Sequence, residues 1–341
     1  DQFPKNDMSR ELARKHDFRI TSTIEEAITL GSKQIQVAGV LSIGEHGNYP
    51  FTADTRQHMY PRRRFFDEIT ATFRKCGTVV PLFNDKHLAY NWTDAKHMYD
   101  TAVKMKIPFM AGSSLPVTWR LPSLVLPVGS VIEEALGIGY GGLESYGFHA
   151  LETFQSVMER RKDGETGVTS VQAVRGDAIW KAEREERWSF DLLVAALRGT
   201  GVKMAIDEIR EKLGGGPTIF LIEYRDGQRG AVAMVNGIGH EFGVVLKLRG
   251  KAKPFVNHYL LQDKKPYRHF EHLVRAIEPM IQTGKPSYPV ERTLLTTGIL
   301  DRIMHSAAEE GRLYQTPELA IGYQPSDWPF ANQNGRFPVP K

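Results

Sequence analysis

The first 115 residues alternate two hydrophobic patterns. Apolar side chains recur at helical spacing over residues 65–74 and 93–105, and short apolar runs occupy residues 37–43, 78–83 and 107–111. Helical spacing predicts amphipathic helices, and short continuous apolar runs are typical of strands buried on both faces. Strand–helix–strand alternation of this kind predicts a parallel sheet with helices on both sides.

The pattern changes after Pro122, where longer stretches with the strand period of two appear. Such stretches occupy residues 167–173, 218–224, 230–236 and 242–248. Asp226-Gly227 is a strong hairpin signal, and strands joined by hairpins form an antiparallel sheet. Helical spacing recurs at residues 144–160, 270–282 and 290–308. We expect these helices to cover one face of the sheet.

The two halves together predict an α/β plus α+β protein. We expect a Rossmann-like parallel-sheet domain over residues 1–120 and an open antiparallel-sheet domain covered by helices over residues 121–320. Residues 321–341 form an irregular tail that either packs irregularly or wraps a partner. The chain opens at Asp1 rather than Met. We therefore expect that it has been processed or cut, or that it begins inside a longer sequence, which would leave the first domain incomplete.

Composition narrows the class of protein. Apolar residues make up 41% of the 341 residues and charged residues 25%, which excludes wholesale disorder. The net charge is +4 with both signs mixed along the chain, so we expect no nucleic-acid partner. Apolar runs are too short for a membrane span. Cys76 is the only cysteine, which excludes an internal disulfide and a cysteine-built metal site and predicts a cytoplasmic location.

Polar clusters follow the three predicted strands of the first domain. They are the segments 44–47, 84–87 and 113–114. Ligands of parallel sheets bind at the carboxyl ends of the strands, so we expect these clusters to share one site. Glu45, His46 and His58 have a spacing that fits no defined metal site, and we predict no metal.

Two segments resemble the Gfo/Idh/MocA family of oxidoreductases. Residues 84–89, Asn-Asp-Lys-His-Leu-Ala, resemble its Glu-Lys-Pro-Leu-Ala segment, and Gly141-Gly142 stands before His149 as a glycine pair stands before the helix histidine of the family. The resemblance covers most of residues 1–310 and implies the two-domain fold given above. It also implies NAD or NADP as the cofactor, although no glycine-rich G-x-G-x-x-G turn lies near the start of the chain.

The resemblance assigns the catalytic roles to Lys86 and His149. In the family, the lysine lies between the nicotinamide ribose and the substrate hydroxyl, and the histidine is often the general base or its partner. Removing a hydride from a secondary alcohol needs a base for the hydroxyl proton and a cation for the developing alkoxide. Possible supporting groups are Asp85, which would orient Lys86, together with Glu144 and Glu152.

Several departures and further candidates accompany these assignments. Asp85 replaces the family's glutamate, His87 its proline and Ser145 an aspartate that precedes the histidine. We expect the cofactor to contact Gly44, Glu45, His46, His58, Asp85 and Lys86, and the substrate to contact Trp119, Arg120 and Tyr146. The first of three successive arginines is Arg62. The three form either a solvated, ion-paired face or an anion site. The glycines of residues 137–142 are expected to pack backbone beside the helix that carries His149.

Three functions follow from these residues. The leading hypothesis is an NAD- or NADP-dependent oxidoreductase that transfers a hydride between the cofactor and a sugar, polyol or related hydroxylated compound. The first alternative is a lyase, hydrolase or epimerase that acts without net redox chemistry and keeps its cofactor bound. The second alternative is a non-catalytic scaffold or sugar-sensing member. A long exposed sheet face in the second domain would imply a homodimer or homotetramer.

Overall fold

The computed structural model describes residues 7–44, 47–262 and 264–334. The helices are α1 Ser9–His16, α2 Ile24–Thr29, α3 Arg62–Cys76, α4 Trp92–Met105, α5 Ser145–Met158, α6 Asp177–Arg184, α7 Phe190–Gly199, α8 Ile206–Leu213, α9 His269–Thr283 and α10 Glu291–Ala308. The strands are β1 Val40–Ser42, β2 Leu82–Asp85, β3 Phe109–Gly112, β4 Arg120–Leu121, β5 Ile132–Gly139, β6 Val168–Val174, β7 Thr218–Tyr224, β8 Arg229–Met234, β9 Phe242–Leu248, β10 Phe255–Tyr259 and β11 Tyr314–Gln315.

The first sheet is parallel, as predicted, in the order β1-β2-β3. β2 and β3 are buried along their whole length. The expectation that residues 37–43 are buried on both faces is wrong: β1 covers only Val40–Ser42, and Leu41 and Ile43 are 42% and 64% exposed. Among the described strands β1 pairs only with β2, so it lies at the edge of the sheet and its side chains reach solvent.

Local signals fix the ends of the helices in this half. The Asn91 side chain accepts the Asp94 amide at 2.8 Å and caps α4. Gly77 ends α3 in the left-handed conformation, at φ +68°, where a Cβ would be strained. α3 begins at Arg62, three residues earlier than the apolar pattern indicates, because Pro61 stands at its start and the arginines lack the apolar signal.

The second sheet has the order β11-β6-β7-β8-β5-β9-β10-β4. Its pairs are antiparallel, as predicted, except that β5 runs parallel to β8. The bounds of β7 and β9 coincide with the predicted strands. Gly227, at φ +83°, forms the turn of the predicted β7–β8 hairpin. β5 was not predicted, because its glycines weaken the strand signal.

Helices cover both faces of the second sheet, so the expectation of one exposed face is wrong. α5 and α10 pack on one face, with Phe148, Phe154 and Ile299 in the core. α6, α7 and α8 pack on the other, with Leu193 and Ile209 against inward side chains of the strands. These three helices, in the connection between β6 and β7, remove the exposed surface from which a homodimer or homotetramer was inferred.

α10 and the C-terminal segment join the parts of the molecule. Leu294 on α10 packs in the core of the parallel sheet, and Leu295 and Ile299 pack in the core of the second sheet. Beyond α10, Tyr323 pairs with the Glu165 backbone and Asn332 pairs with the Arg120 backbone. The tail therefore packs on its own chain as far as it is described. Among the described residues there is no helix with the length and apolarity needed to span a membrane.

Candidate active site

The ends of β2 and β3 meet the helix that carries His149. The Lys86 amide donates to the Gly112 carbonyl oxygen at 3.3 Å, and Lys86 has a left-handed φ of +58°. The next residue after Gly112, Ser113, has its Oγ 2.7 Å from Nδ1 of His149. Two of the three predicted clusters, the segments 84–87 and 113–114, therefore lie together, as expected for the ends of neighbouring parallel strands. Lys86 and His149 are linked through Gly112 and Ser113.

Gly112 is required where β3 approaches α5. Its φ is +123°, and a Cβ there would lie 2.5 Å from Oε2 of Glu152. The buried Glu152 carboxylate accepts the Ser113 amide at 3.3 Å and the Thr296 hydroxyl proton at 2.7 Å. Burial raises the pKa of Glu152, against the opposing charge of Arg292. Glu152 thus ties the end of β3 to α5 and α10, and its supporting role in catalysis stays a prediction.

Burial sets the protonation of both predicted catalytic groups. It lowers the pKa of Lys86 to about 8. It also lowers the pKa of His149 well below the usual value of 6.5, and the positive charges of Lys86, His269 and Arg62 add to this effect. At neutral pH His149 is therefore neutral, and Lys86 exchanges its proton close to neutrality. A lysine of this kind can serve as an acid or a base.

Arg62 behaves differently from the two arginines that follow it. Arg63 forms ion pairs with Asp67 on α3 and Asp94 on α4, and Arg64 pairs with Glu68 on α3, as the ion-paired alternative expects. Arg62 is only 2% exposed, and its guanidinium lies 4.5 Å from the Tyr60 ring centre. Its Nη1 lies 3.2 Å from Nε2 of His87. The three arginines are indistinguishable by pattern, so the separate position of Arg62 could not be predicted from the sequence.

Arg62 and His87 carry buried donors that lack acceptors among the described residues. A guanidinium can only donate, so Nε2 of His87 accepts and the His87 proton resides on Nδ1. Neither His87 Nδ1 nor Arg62 Nη2 has a hydrogen-bond partner in the described ranges. Burial lowers the pKa of Arg62, and the nearby Asp85 carboxylate opposes that shift. Unpaired buried donors beside Lys86 fit a ligand rich in acceptor oxygens.

The loop before α3 is attached to the start of α5. Oε2 of Glu144 accepts the His58 amide at 2.7 Å, and the His58 ring stacks on Phe51 at 4.4 Å. Burial raises the pKa of Glu144 to about 7. Of the other predicted cofactor contacts on this loop, Gly44 faces the Phe65 ring, and Glu45 and His46 lie outside the described residues.

Of the predicted substrate contacts, the structure brings only Tyr146 to His149. Tyr146 lies one turn before His149 on α5, with ring centres 5.9 Å apart. Trp119 is fully buried and packs edge-on against His272 of α9 at 4.6 Å. Arg120 is buried against Phe330, 4.0 Å from that ring. Both residues contact α9 or the C-terminal segment, because the chain enters the second sheet through β4 at this point.

The glycines of residues 137–142 pack backbone against α5, as predicted. A Cβ on Gly137 would lie 3.2 Å from Phe154, and one on Gly139 would lie 2.7 Å from the Ala150 methyl group. These glycines let β5 approach the helix that carries His149. The described residues contain no cluster of three or more histidine, cysteine or acidic side chains arranged to hold a metal.

No family model matches the chain, and no curated protein matches its sequence. Its fold is similar to that of GenD2 from gentamicin A biosynthesis, solved with NAD, at 13% identity and a TM-score of 0.56 over 90% of this chain and 85% of that chain. An NAD-binding oxidoreductase from Klebsiella pneumoniae is 14% identical, with a TM-score of 0.52 over 90% and 86%. An oxidoreductase from Agrobacterium radiobacter, solved with NAD+, L-tartaric acid and magnesium, is 13% identical, with a TM-score of 0.53 over 92% and 89%.

These similarities identify the fold. The chain has the fold of these NAD-binding oxidoreductases, the two-domain fold that the resemblance of segments 84–89 and 141–149 implies. At these identities the similarity extends to the architecture alone and does not identify the chemistry of the site.

Proposed function

We propose that this protein is a nicotinamide-dependent oxidoreductase that acts on a sugar, polyol or related hydroxylated compound. The observation that carries the proposal is the link from Lys86 through Gly112 and Ser113 to His149. It combines an amine of perturbed pKa with a neutral imidazole at the carboxyl ends of two parallel strands. This is where ligands of such sheets bind, and the pair can manage the hydroxyl proton that alcohol oxidation releases.

The donors around Lys86 fit the oxygen-rich cofactor that this function requires, NAD or NADP. Arg62 and His87 have buried donors without partners in the described ranges, and Lys86 brings a positive charge close to His87. We propose that these three residues contact the cofactor, which when bound supplies the hydride acceptor. Asp85, Gly44, Glu45, His46 and His58 stay predicted contacts, and the strand–turn–helix glycine motif that would hold the pyrophosphate is not among the described residues.

The second candidate is a lyase or epimerase that retains its cofactor and carries out no net redox reaction. The half-buried Glu144 favours it, because elimination or epimerisation needs a further acid–base group and the pKa of Glu144 is raised to about 7. Assembly as a homodimer or homotetramer and a cytoplasmic location stay proposals. Any such assembly would use a surface other than the face covered by α6–α8.

The test combines cofactor binding with turnover. We would titrate the protein with NAD and NADP by calorimetry, then follow the absorbance of reduced nicotinamide with a panel of sugars, polyols and hydroxy acids. Reduction that Lys86→Met abolishes and Lys104→Met leaves intact supports the oxidoreductase. Product formation without net reduction favours the second candidate. A protein that binds neither dinucleotide would be a non-catalytic member and would overturn both enzyme proposals.

A further inference from the structure

Ser113 makes a short hydrogen bond to the histidine of the site. Its Oγ is 2.7 Å from Nδ1 of His149. The same Oγ accepts the Leu115 amide proton at 3.1 Å. The Ser113 backbone is fixed separately, because its amide donates to Glu152. Ser113 is only 3% exposed.

The bonding capacity of the hydroxyl decides the direction of the serine–histidine bond. A serine hydroxyl has one proton to donate, and the oxygen of Ser113 already accepts from Leu115. Among the described residues His149 Nδ1 is the acceptor available for that proton. If Nδ1 carried the histidine proton instead, the buried hydroxyl proton would have no acceptor, which is unfavourable. The hydroxyl proton and Nδ1 are therefore both satisfied only when the Ser113 hydroxyl donates to His149 Nδ1.

A neutral imidazole that accepts at Nδ1 carries its proton on Nε2. The doubly protonated form is disfavoured because burial and the charge of Lys86 both oppose a second positive charge here. The ring is held on its other sides by Tyr146 and Phe242. His149 is thus a fixed donor at Nε2 and has no free lone pair with which to take a proton.

We propose that Ser113 is a positioning residue that holds His149 as the Nε2–H tautomer, so that His149 donates a hydrogen bond to the reacting oxygen and Lys86 takes the proton. This inference rests on the proposed oxidoreductase function. During oxidation the hydroxyl proton passes to the neutral Lys86 amine, and the hydride leaves carbon with its electron pair for the oxidised nicotinamide. The C–O bond becomes a carbonyl, whose oxygen accepts a hydrogen bond from Nε2–H of His149, and that proton stays on His149.

The tautomer can be measured without a substrate. Nitrogen-15 spectra of histidine-labelled protein distinguish a protonated from an unprotonated ring nitrogen, and His149→Gln identifies the signals of His149 by their loss. We expect protonated Nε2 and unprotonated Nδ1 in the wild type. Ser113→Ala should mix the two tautomers. Ser114→Ala is the matched control, since Ser114 is buried to the same degree and makes no described bond to His149.

A wild-type His149 protonated on Nδ1, or on both nitrogens, would overturn the proposal even if Ser113→Ala does not fold. An unchanged tautomer in folded Ser113→Ala would overturn it as well. Ser113→Cys, which keeps the volume but donates weakly, should lie between wild type and alanine. In turnover, Ser113→Ala should lower kcat roughly 10- to 100-fold and leave dinucleotide affinity unchanged, the loss expected for one hydrogen bond to a reacting group. Absence of dinucleotide binding in the wild type would instead contradict the oxidoreductase function and leave the tautomer result standing.

Discussion

The Glu144 carboxylate accepts the backbone N–H of His58 at 2.7 Å. This bond joins the loop before α3 to the first residue of the turn into α5, so the loop and the helix that carries His149 are held together. Its other oxygen, Oε1, is buried without a hydrogen-bond partner in the described ranges. A carboxylate in this position is costly when it is charged, which is why burial raises the pKa of Glu144 to about 7.

Glu144→Gln should therefore stabilise the protein above pH 7. Between the usual value of 4.5 and about 7, the folded state binds more protons at this site than the unfolded state does. The free energy of unfolding accordingly falls as pH rises through this window. The glutamine keeps an acceptor for the His58 amide and removes the cost of burying a charged carboxylate. The free energy of unfolding above pH 7 should therefore rise by roughly 1–3 kcal/mol. Urea unfolding at several pH values measures it. The exposed Glu208→Gln should leave the slope unchanged, and equal slopes for wild type and Glu144→Gln would refute the prediction.

Lys86→Met should abolish turnover and leave the fold intact. In the wild type, kcat/KM for oxidation should rise with pH and level off above about 8, because the neutral amine is the form that accepts a proton. Steady-state rates over a pH series check this. The same change to Lys104, which is exposed on α4, serves as the control. A flat pH profile in this range would mean that another group takes the proton.

The lowered pKa of Lys86 should change the free energy of unfolding with pH in the direction opposite to the effect of Glu144. Its folded pKa of about 8 lies below the usual 10.5, so the unfolded state binds more protons between these values. The wild-type free energy of unfolding should rise with pH across this window, and in Lys86→Met that rise should disappear. The variant should also be more stable than wild type below pH 8, since it no longer buries a charge. Thermal melts at pH 7 and pH 10 compare the two proteins.

Gly112→Ala should damage both stability and turnover. The new Cβ would meet Glu152 Oε2 at 2.5 Å and Thr293 Oγ1 at 2.8 Å, at a positive φ that alanine disfavours. We expect a loss of at least about 1–3 kcal/mol from backbone strain alone, with displacement of Ser113 from His149. Urea unfolding measures the loss. Gly216→Ala, where a Cβ would meet nothing within 4 Å, should be close to wild type. Equal stability of the two variants would contradict the explanation given for Gly112.

Arg62→Met should weaken dinucleotide binding at least about tenfold, the worth of a charge-assisted hydrogen bond to a ligand oxygen. Arg64→Met removes the same charge from the exposed face of α3 and should have little effect, since Arg64 pairs with Glu68. Calorimetric titration of the two variants separates a local contact from a general charge effect. Equal affinities would show that Arg62 does not touch the cofactor.

Sequence periodicity predicted best the strands that are buried on both faces along most of their length. β7 and β9 cross a sheet buried on both faces, and their bounds could be read from apolar side chains alone. β1 was predicted too long because its exposed Leu41 and Ile43 have the same apolar character as buried residues. α6 to α8 were not predicted at all. These are short helices, and their burial depends on a sheet face whose position the local pattern does not reveal.

The parts of the candidate site that lie at strand ends or in the motif segments could be predicted from the sequence. The position of Lys86 near Ser113 follows from the topology of a parallel sheet. The bond between Ser113 and His149 depends on the distance between β3 and α5, which glycines such as Gly112 set. The difference between Arg62 and Arg64 likewise depends on which of them faces inward at the start of α3. Neither distance nor orientation is encoded in local spacing.

The cover formed by α6, α7 and α8 begins and ends at neighbouring positions. Val174 at the end of β6 pairs with Ile219 near the start of β7, so the intervening chain leaves the sheet and returns one strand spacing away. The entropic cost of closing such an excursion grows only with the logarithm of its length. The strand pair thus constrains the two ends of the segment and hardly constrains its size. Replacing the segment between β6 and β7 with a shorter or longer one should leave the protein folded if the new segment shields the same apolar face from water.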